Sequence, residues 1–155
     1  MSETNGIEIV PYVEDHFFQI VRREHDIKSF MGLPHPEMVA KMFTKGPGFT
    51  GIKDGEVVAS AGVMIIWDRV GEAWTVTSPL VNKYASFFHK TIKDHLDKVI
   101  NQYRLERVQC FVDKENKMAT KWAEKLGFEY EGEMRKFFQG KTYLRYSRIT
   151  EGLGG

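Results

Sequence analysis

Two glutamates, Glu24 and Glu72, sit in patterns where a carboxylate acquires chemical consequence. Glu14 and Asp15 open a helical pattern whose apolar stripe holds Phe17, Ile20 and Val21, and a continued helix adds Glu24 to that stripe. A carboxylate there must be paired, hydrogen-bonded or shifted toward its neutral form. The alternatives are that the helix ends first, or that a nearby arginine matches the charge. Glu72 opens the alternating run "EAWTVTS" and shares a face with Trp74 and Val76, although its place beside Gly71 equally suits a solvated strand end. Either side chain, correctly placed, can act as a general base.

Other reactive residue types offer less. The single cysteine excludes an internal disulfide. Cys110 alternates with Val108 and Val112, as a small buried strand residue does, and no neighbouring His, Asn or Asp marks it as a nucleophile. His16, His25, His35, His89 and His95 have no metal-ligand spacing, so no metal is expected. His35 stands between Pro34 and Pro36 and reads as part of a turn. No glycine-rich loop ends in Gly-Lys-Ser/Thr, which removes the P-loop.

The elements that must position these residues are legible as periodicity and turn chemistry. "IEIVPY" alternates and reads as a first strand, followed by the helix from Glu14. Pro36 opens a second, shorter helix with Val39, Met42 and Phe43 on one side. Asp54-Gly55 marks a tight hairpin, and the run from Val57 to Trp67 is almost continuously apolar, as in a strand covered on both faces. "EAWTVTS" is a further strand. The longest helix is expected from Lys83 to Tyr103, with Phe88, Ile92, Leu96, Val99, Ile100 and Tyr103 at helical spacing. "RVQCFVD" follows, and a helical crossover makes it a parallel neighbour of the strand before. A short helix with Ala119, Trp122, Ala123 and Leu126 inward ends at Gly127, and "EYEGEMRKFF" and "TYLRYSRI" close the chain as a hairpin around Gln139-Gly140-Lys141.

The composition bounds the function. With 155 residues, 42% apolar and 13% aromatic, the sequence describes one packed domain over residues 1–150 and a disordered tail over 151–155. Twenty-two basic against 21 acidic residues, a formal charge of +1, offer no footprint for nucleic acid or an acidic membrane surface. No apolar run is long enough to span a bilayer, so a soluble, cytoplasmic protein is expected.

The stretch "NKMATKWAEKLGFEYEGEMRKFF" carries a resemblance. Asn116, Ala119 and Gly127-Phe128 match the Asn-x-x-Ala … Gly-Phe pattern of the GNAT acyltransferase superfamily, and "VVASAGVMIIW" after "DGE" is similar to that family's third strand. The likeness covers nearly the whole chain. "IVRREHDIKSF" with "DGEVVASAGV" is also similar to phage-encoded GNAT-like proteins, among them internal virion components. The resemblance implies an α/β (mixed α+β) GNAT-like acyl-CoA N-acyltransferase fold, with a mainly antiparallel central sheet and helices on both faces. It implies an N-acetyltransferase that moves an acetyl group from the cosubstrate acetyl-CoA to a small-molecule or protein amine by direct attack in a ternary complex, with a homodimer as an option. The alternative is a catalytically weak or inactive GNAT-like protein serving a virion in an infected host cell, or binding partners.

The same resemblance assigns residues. Glu72 lies in the strand where relatives often hold a general base, and Val76, Thr77, Ser78 and Asn116 fall where relatives bind the pantetheine arm. Relatives hold the diphosphate with a Gln/Arg-x-x-Gly-x-Gly/Ala loop, because glycines admit close backbone approach and free amides at a helix start attract an anion. The matching stretch here, "SPLVNKYASFFHK", has no glycine, so Asn82, Lys83, Tyr84, Ala85 and Ser86 are the expected contacts and Lys83 must supply part of the grip. The tyrosine that reprotonates the leaving thiolate in many relatives falls at Ala123, which has no proton to give.

Overall fold

The structure is a computed structural model, and it describes residues 6–23 and 36–150. Among the described residues twelve elements follow in the expected order. They are β1 (Ile7–Pro11), α1 (Glu14–Arg23), α2 (Pro36–Met42), β2 (Gly48–Lys53), β3 (Glu56–Trp67), β4 (Val70–Thr77), a 3₁₀ helix (Pro79–Tyr84), α3 (Ala85–Tyr103), β5 (Arg107–Asp113), α4 (Lys117–Lys125), β6 (Glu129–Phe138) and β7 (Lys141–Ile149). Hydrogen bonding joins the strands in the order β1-β2-β3-β4-β5-β7-β6. The β4–β5 ladder is parallel, as the α3 crossover requires, while β1–β2, β2–β3, β5–β7 and β6–β7 are antiparallel. The mixed, mainly antiparallel sheet agrees with the expectation from sequence.

The chain forms two compact units, residues Met1–Met64 with Trp74–Leu96, and residues Ile65–Ala73 with Asp97–Gly155. In the first, Asp54 and Gly55 both take positive φ (51° and 79°) and close a two-residue hairpin between β2 and β3. Residues 57–63 of β3 are buried without alternation, as the almost continuous apolar run predicted, but residues 64–66 are half-buried and Trp67 is 67% exposed, so the expected cover on both faces stops short of the strand's end. Tyr12, Phe17, Ile20, Ala40, Val57, Trp74 and Val76 form one core cluster. The Tyr12 hydroxyl donates to the carbonyl of Ala40 (2.9 Å), tying the end of β1 to α2, and the Phe43 ring stacks flat on Trp74 at 4.0 Å. Gly51 is obligatory for packing, since a Cβ there would stand 2.4 Å from the Phe88 ring of α3.

The second unit is built on β5, β7 and β6. Val108 of β5, Ala123 of α4, Phe128 just before β6 and Tyr146 of β7 are all buried. Gly127 takes φ 92° and ends α4 as expected. Gln139 and Gly140 make the closing turn with φ 53° and 75°. The outermost strand, β6, is broken by two register shifts and lined by Glu129, Glu131, Glu133, Arg135 and Lys136, which blunts its free edge against pairing.

Further expectations need correction. The long helix begins at Ala85, and the residues before it form a 3₁₀ helix from Pro79. Ser78 caps that turn and Pro79 occupies its first position, so helical backbone starts six residues earlier in a tighter form. The strand read as "EAWTVTS" starts at Val70. Tyr103, assigned to the apolar stripe, is 39% exposed, whereas Val99 and Ile100 of the same stripe are buried.

Candidate functional site

Glu72 is the third residue of β4, inside the parallel ladder where it pairs with Gln109 of β5. It is buried, 7% exposed, which rules out the solvated strand end. Gln109 Nε2 donates to Glu72 Oε1 at 2.9 Å, and Arg145 Nη1 lies 3.2 Å from both carboxylate oxygens. The network continues. Gln109 Oε1 accepts from Arg107 Nε (2.8 Å), and Arg107 Nη1 and Nη2 clamp Glu131 at 2.9 and 2.7 Å. Glu131 also accepts from the Ser147 hydroxyl. The arginine clamp and that hydroxyl hold the Glu131 carboxyl down at about 2.

Register explains the assembly. Gln109 faces Ser147 and Phe111 faces Arg145 across the β5–β7 ladder, so one face carries both glutamate partners and a row of rings. Phe111, Phe137 and Tyr143 pack edge to face or tilted at 4.9 to 5.7 Å, and the Arg145 guanidinium carbon stands 5.7 Å from the Phe111 centroid. Arg107, Gln109, Arg145 and Phe111 do not stand out in the sequence. The only signal was the alternation of "RVQCF" and "TYLRYS", which shows that such residues share a face but not what lies opposite.

The remaining expected site residues divide between the units. Glu24 lies outside the described residues. In the first unit Val76 is a core residue and Thr77 is half-buried. Ser78 is turned inward, 1% exposed: its amide and hydroxyl both donate to the Val58 carbonyl (2.9 and 2.8 Å), and its hydroxyl oxygen accepts from Leu80 N. Asn82, Lys83 and Ser86 are exposed, with Tyr84 and Ala85 half-buried. Because Asn82, Lys83 and Tyr84 belong to the 3₁₀ helix, their amides serve its i+3 hydrogen bonds, and the run is not an open anion-binding loop.

In the second unit Asn116 is the N-cap of α4, its Oδ1 accepting from Ala119 N at 3.0 Å. This capping bond gives the Asn a structural role at the helix start, and it engages only the Oδ1 of an exposed residue. Ala123 is buried. Burial pushes the Cys110 thiol up to about 12, so it is protonated at neutral pH and unsuited to nucleophilic attack. An open groove of about 620 Å³ lies beside Asp113, Lys117 and residues 140–142, away from Glu72, and two of its lysines are matched, Lys141 by Asp113 and Lys114 by Glu133. Among the described residues no three His, Cys, Asp or Glu side chains gather as a metal site.

No protein-family model matches the sequence, and no curated protein matches it. Solved structures do. A spermidine N-acetyltransferase SpeG chimera from Vibrio cholerae and hSSAT aligns over 93% of this chain and 95% of its own, with TM-score 0.70 and 14% identity. A ribosomal-protein-S5-alanine acetyltransferase from Vibrio fischeri aligns over 94% of each chain, with TM-score 0.71 and 12% identity. An acetyltransferase of the GNAT family from Bacillus anthracis aligns over 93% and 95%, with TM-score 0.69 and 14% identity. The chain has the fold of the GNAT acetyltransferases.

Proposed function

We propose that the protein is a GNAT-type N-acyltransferase that moves an acetyl group from acetyl-CoA to an amine by direct attack in a ternary complex. The observation that carries the reading is the fold, shared over nearly the full length with acetyltransferases. The amine lone pair attacks the thioester carbonyl, the new C–N bond forms, the C–S bond breaks, and the ammonium proton is lost as thiolate leaves. Holding the two reactants together contributes on the order of 7–11 kcal/mol, so catalysis survives the absence of an acid at Ala123.

The proposed cofactor contacts are Val76, Thr77, Asn82, Lys83, Tyr84, Ala85, Ser86 and Asn116. Ser78 contributes only as the cap that shapes the turn, since its polar groups are engaged. The side-chain charge of Lys83 substitutes for free amides at the diphosphate. Glu72 or Glu24 is the proposed base. The carboxylate of Glu72 accepts three hydrogen bonds and keeps a lone pair to spare. The neighbours act on spermidine or on a ribosomal protein, so the fold does not select the acceptor.

Calorimetry with acetyl-CoA tests the reading. Binding is expected, with stabilisation of about 2.7 kcal/mol at 100 times the dissociation constant. Lys83→Ala should weaken CoA more than pantetheine, which lacks the diphosphate. Absence of binding at millimolar CoA removes the enzyme reading. The helical Asn82–Ser86 run favours a second reading, a GNAT-like virion or partner-binding protein with little activity, and that reading then stands.

A further inference from the structure

Two arginines share the exposed face of β5 and β7, and they are used differently. Arg107 is consumed: Nε, Nη1 and Nη2 all donate, to Gln109 and Glu131. Arg145 spends only Nη1, on Glu72, and its Nε and Nη2 have no hydrogen-bond partner among the described residues. Its side chain is 22% exposed, so the guanidinium is held in place and still partly open to solvent. Glu72 fixes one edge of the guanidinium and the Phe111 ring lies against it. What remains is a pre-set Nε/Nη2 fork, the geometry that takes a carboxylate through two parallel bonds.

The surroundings select more than charge. Glu131 is paired with Arg107 and Asp113 with Lys141, while Arg145 hydrogen-bonds only Glu72 among the described residues and keeps donors to spare. Phe111 and Phe137, 42% and 43% exposed and 4.9 Å apart, present apolar ring surface beside it. Space is open as well: Gly132 pairs across from Arg145 in the β6–β7 ladder, and a Cβ built on it meets no atom within 4 Å.

We infer that Arg145, with Phe111 and Phe137, forms a subsite for an amine that carries a carboxylate next to an aromatic group, as an aromatic amino acid does. That this ligand is the acetyl acceptor rests on the acyltransferase reading; the chemistry of the subsite does not. Arg145 is a binding residue here, and Glu72 positions its guanidinium.

The test uses L-phenylalanine and L-phenylalaninamide as probes, measured on the full chain by calorimetry or ligand-observed NMR. L-phenylalanine should bind about tenfold more tightly than its amide, because the amide cannot make the bidentate charged pair. Arg145→Lys keeps the charge and loses the fork, and should bring the two affinities within about threefold of each other. Phe111→Leu should weaken both probes together. Equal affinities in the wild type, no binding of L-phenylalanine at 10 mM (a concentration of about 10⁻² M, beyond the millimolar range of weak ligands), or an unchanged ratio in folded Arg145→Lys overturns the inference. If Arg145→Lys does not fold, the wild-type ratio and Phe111→Leu decide. Acetyl-CoA binding is measured in parallel. L-phenylalanine bound without acetyl-CoA leaves the subsite and removes the transferase, whereas the reverse leaves the transferase and removes the subsite.

Discussion

Arg145 Nη1 stands 3.2 Å from both carboxylate oxygens of Glu72, 73 residues away in sequence. The pair is part-buried, with side chains 22% and 10% exposed, and it fastens β7 to β4 across β5. Removing one partner strands the other's charge in a poorly hydrated place. In a double-mutant cycle of Glu72→Gln and Arg145→Gln, urea unfolding should give a coupling of about 1–3 kcal/mol. Strict additivity would mean the contact contributes nothing. If Glu72 is also the base, Glu72→Gln slows turnover on the order of 10²-fold at neutral pH, with partial recovery as the amine deprotonates at high pH.

Acid stability should depend on Glu131. Its folded carboxyl sits at about 2, below the usual carboxylate range, through the Arg107 and Ser147 hydrogen bonds. A depressed folded value means that the unfolded chain takes up the proton first as pH falls. The stabilisation is therefore complete above about 4.5 and is lost between there and about 2. Melting temperatures of Glu131→Gln across that window should fall less steeply than those of the wild type. Parallel curves would deny the linkage.

His16 should give a second, milder pH dependence. It occupies the third position of α1, and its Nδ1 accepts from the Val13 amide (3.2 Å) and contacts the buried Thr50 hydroxyl at 2.7 Å. Val13 precedes the helix, so the imidazole does what a glutamine or glutamate does in a capping box. Burial lowers its affinity for a proton, against the opposing pull of Asp15. The neutral ring therefore stabilises the fold above about 6.5, and that contribution fades as pH falls through the lower folded value. His16→Gln keeps the cap without the titration, so its stability should stay flat between about pH 7 and 5. An equal decline in both proteins would place the effect elsewhere.

Asn116 caps α4, and one substitution separates that role from its proposed contact with the cofactor. Asn116→Ala removes the α4 cap and should cost about 1 kcal/mol. Asn116→Asp restores a capping oxygen but replaces the outward amide with a second anionic oxygen. If Asn116 contacts the cofactor, the aspartate variant keeps wild-type stability and binds acetyl-CoA more weakly. Unchanged affinity in that variant would confine Asn116 to capping.

How much was legible can be seen at particular residues. Asp54-Gly55, Gly127 and Gln139-Gly140 announced their turns because positive φ is a property of the residue and its neighbours alone. The parallel pairing of β4 with β5 followed from the helix between them. Ser78-Pro79 carried a cap-and-start signal that the glycine-loop resemblance obscured, so the 3₁₀ helix came as a correction. Element order and turn positions, and with them the fold class, were thus determined by the sequence itself, through local conformational preference and hydrophobic period. Only the tertiary structure decided what surrounds Glu72. Its partners come from positions 109 and 145 through two strand registers: a slip of one residue between β5 and β7 would turn Arg145 to the opposite face from Gln109, and one between β4 and β5 would turn Glu72 away from both.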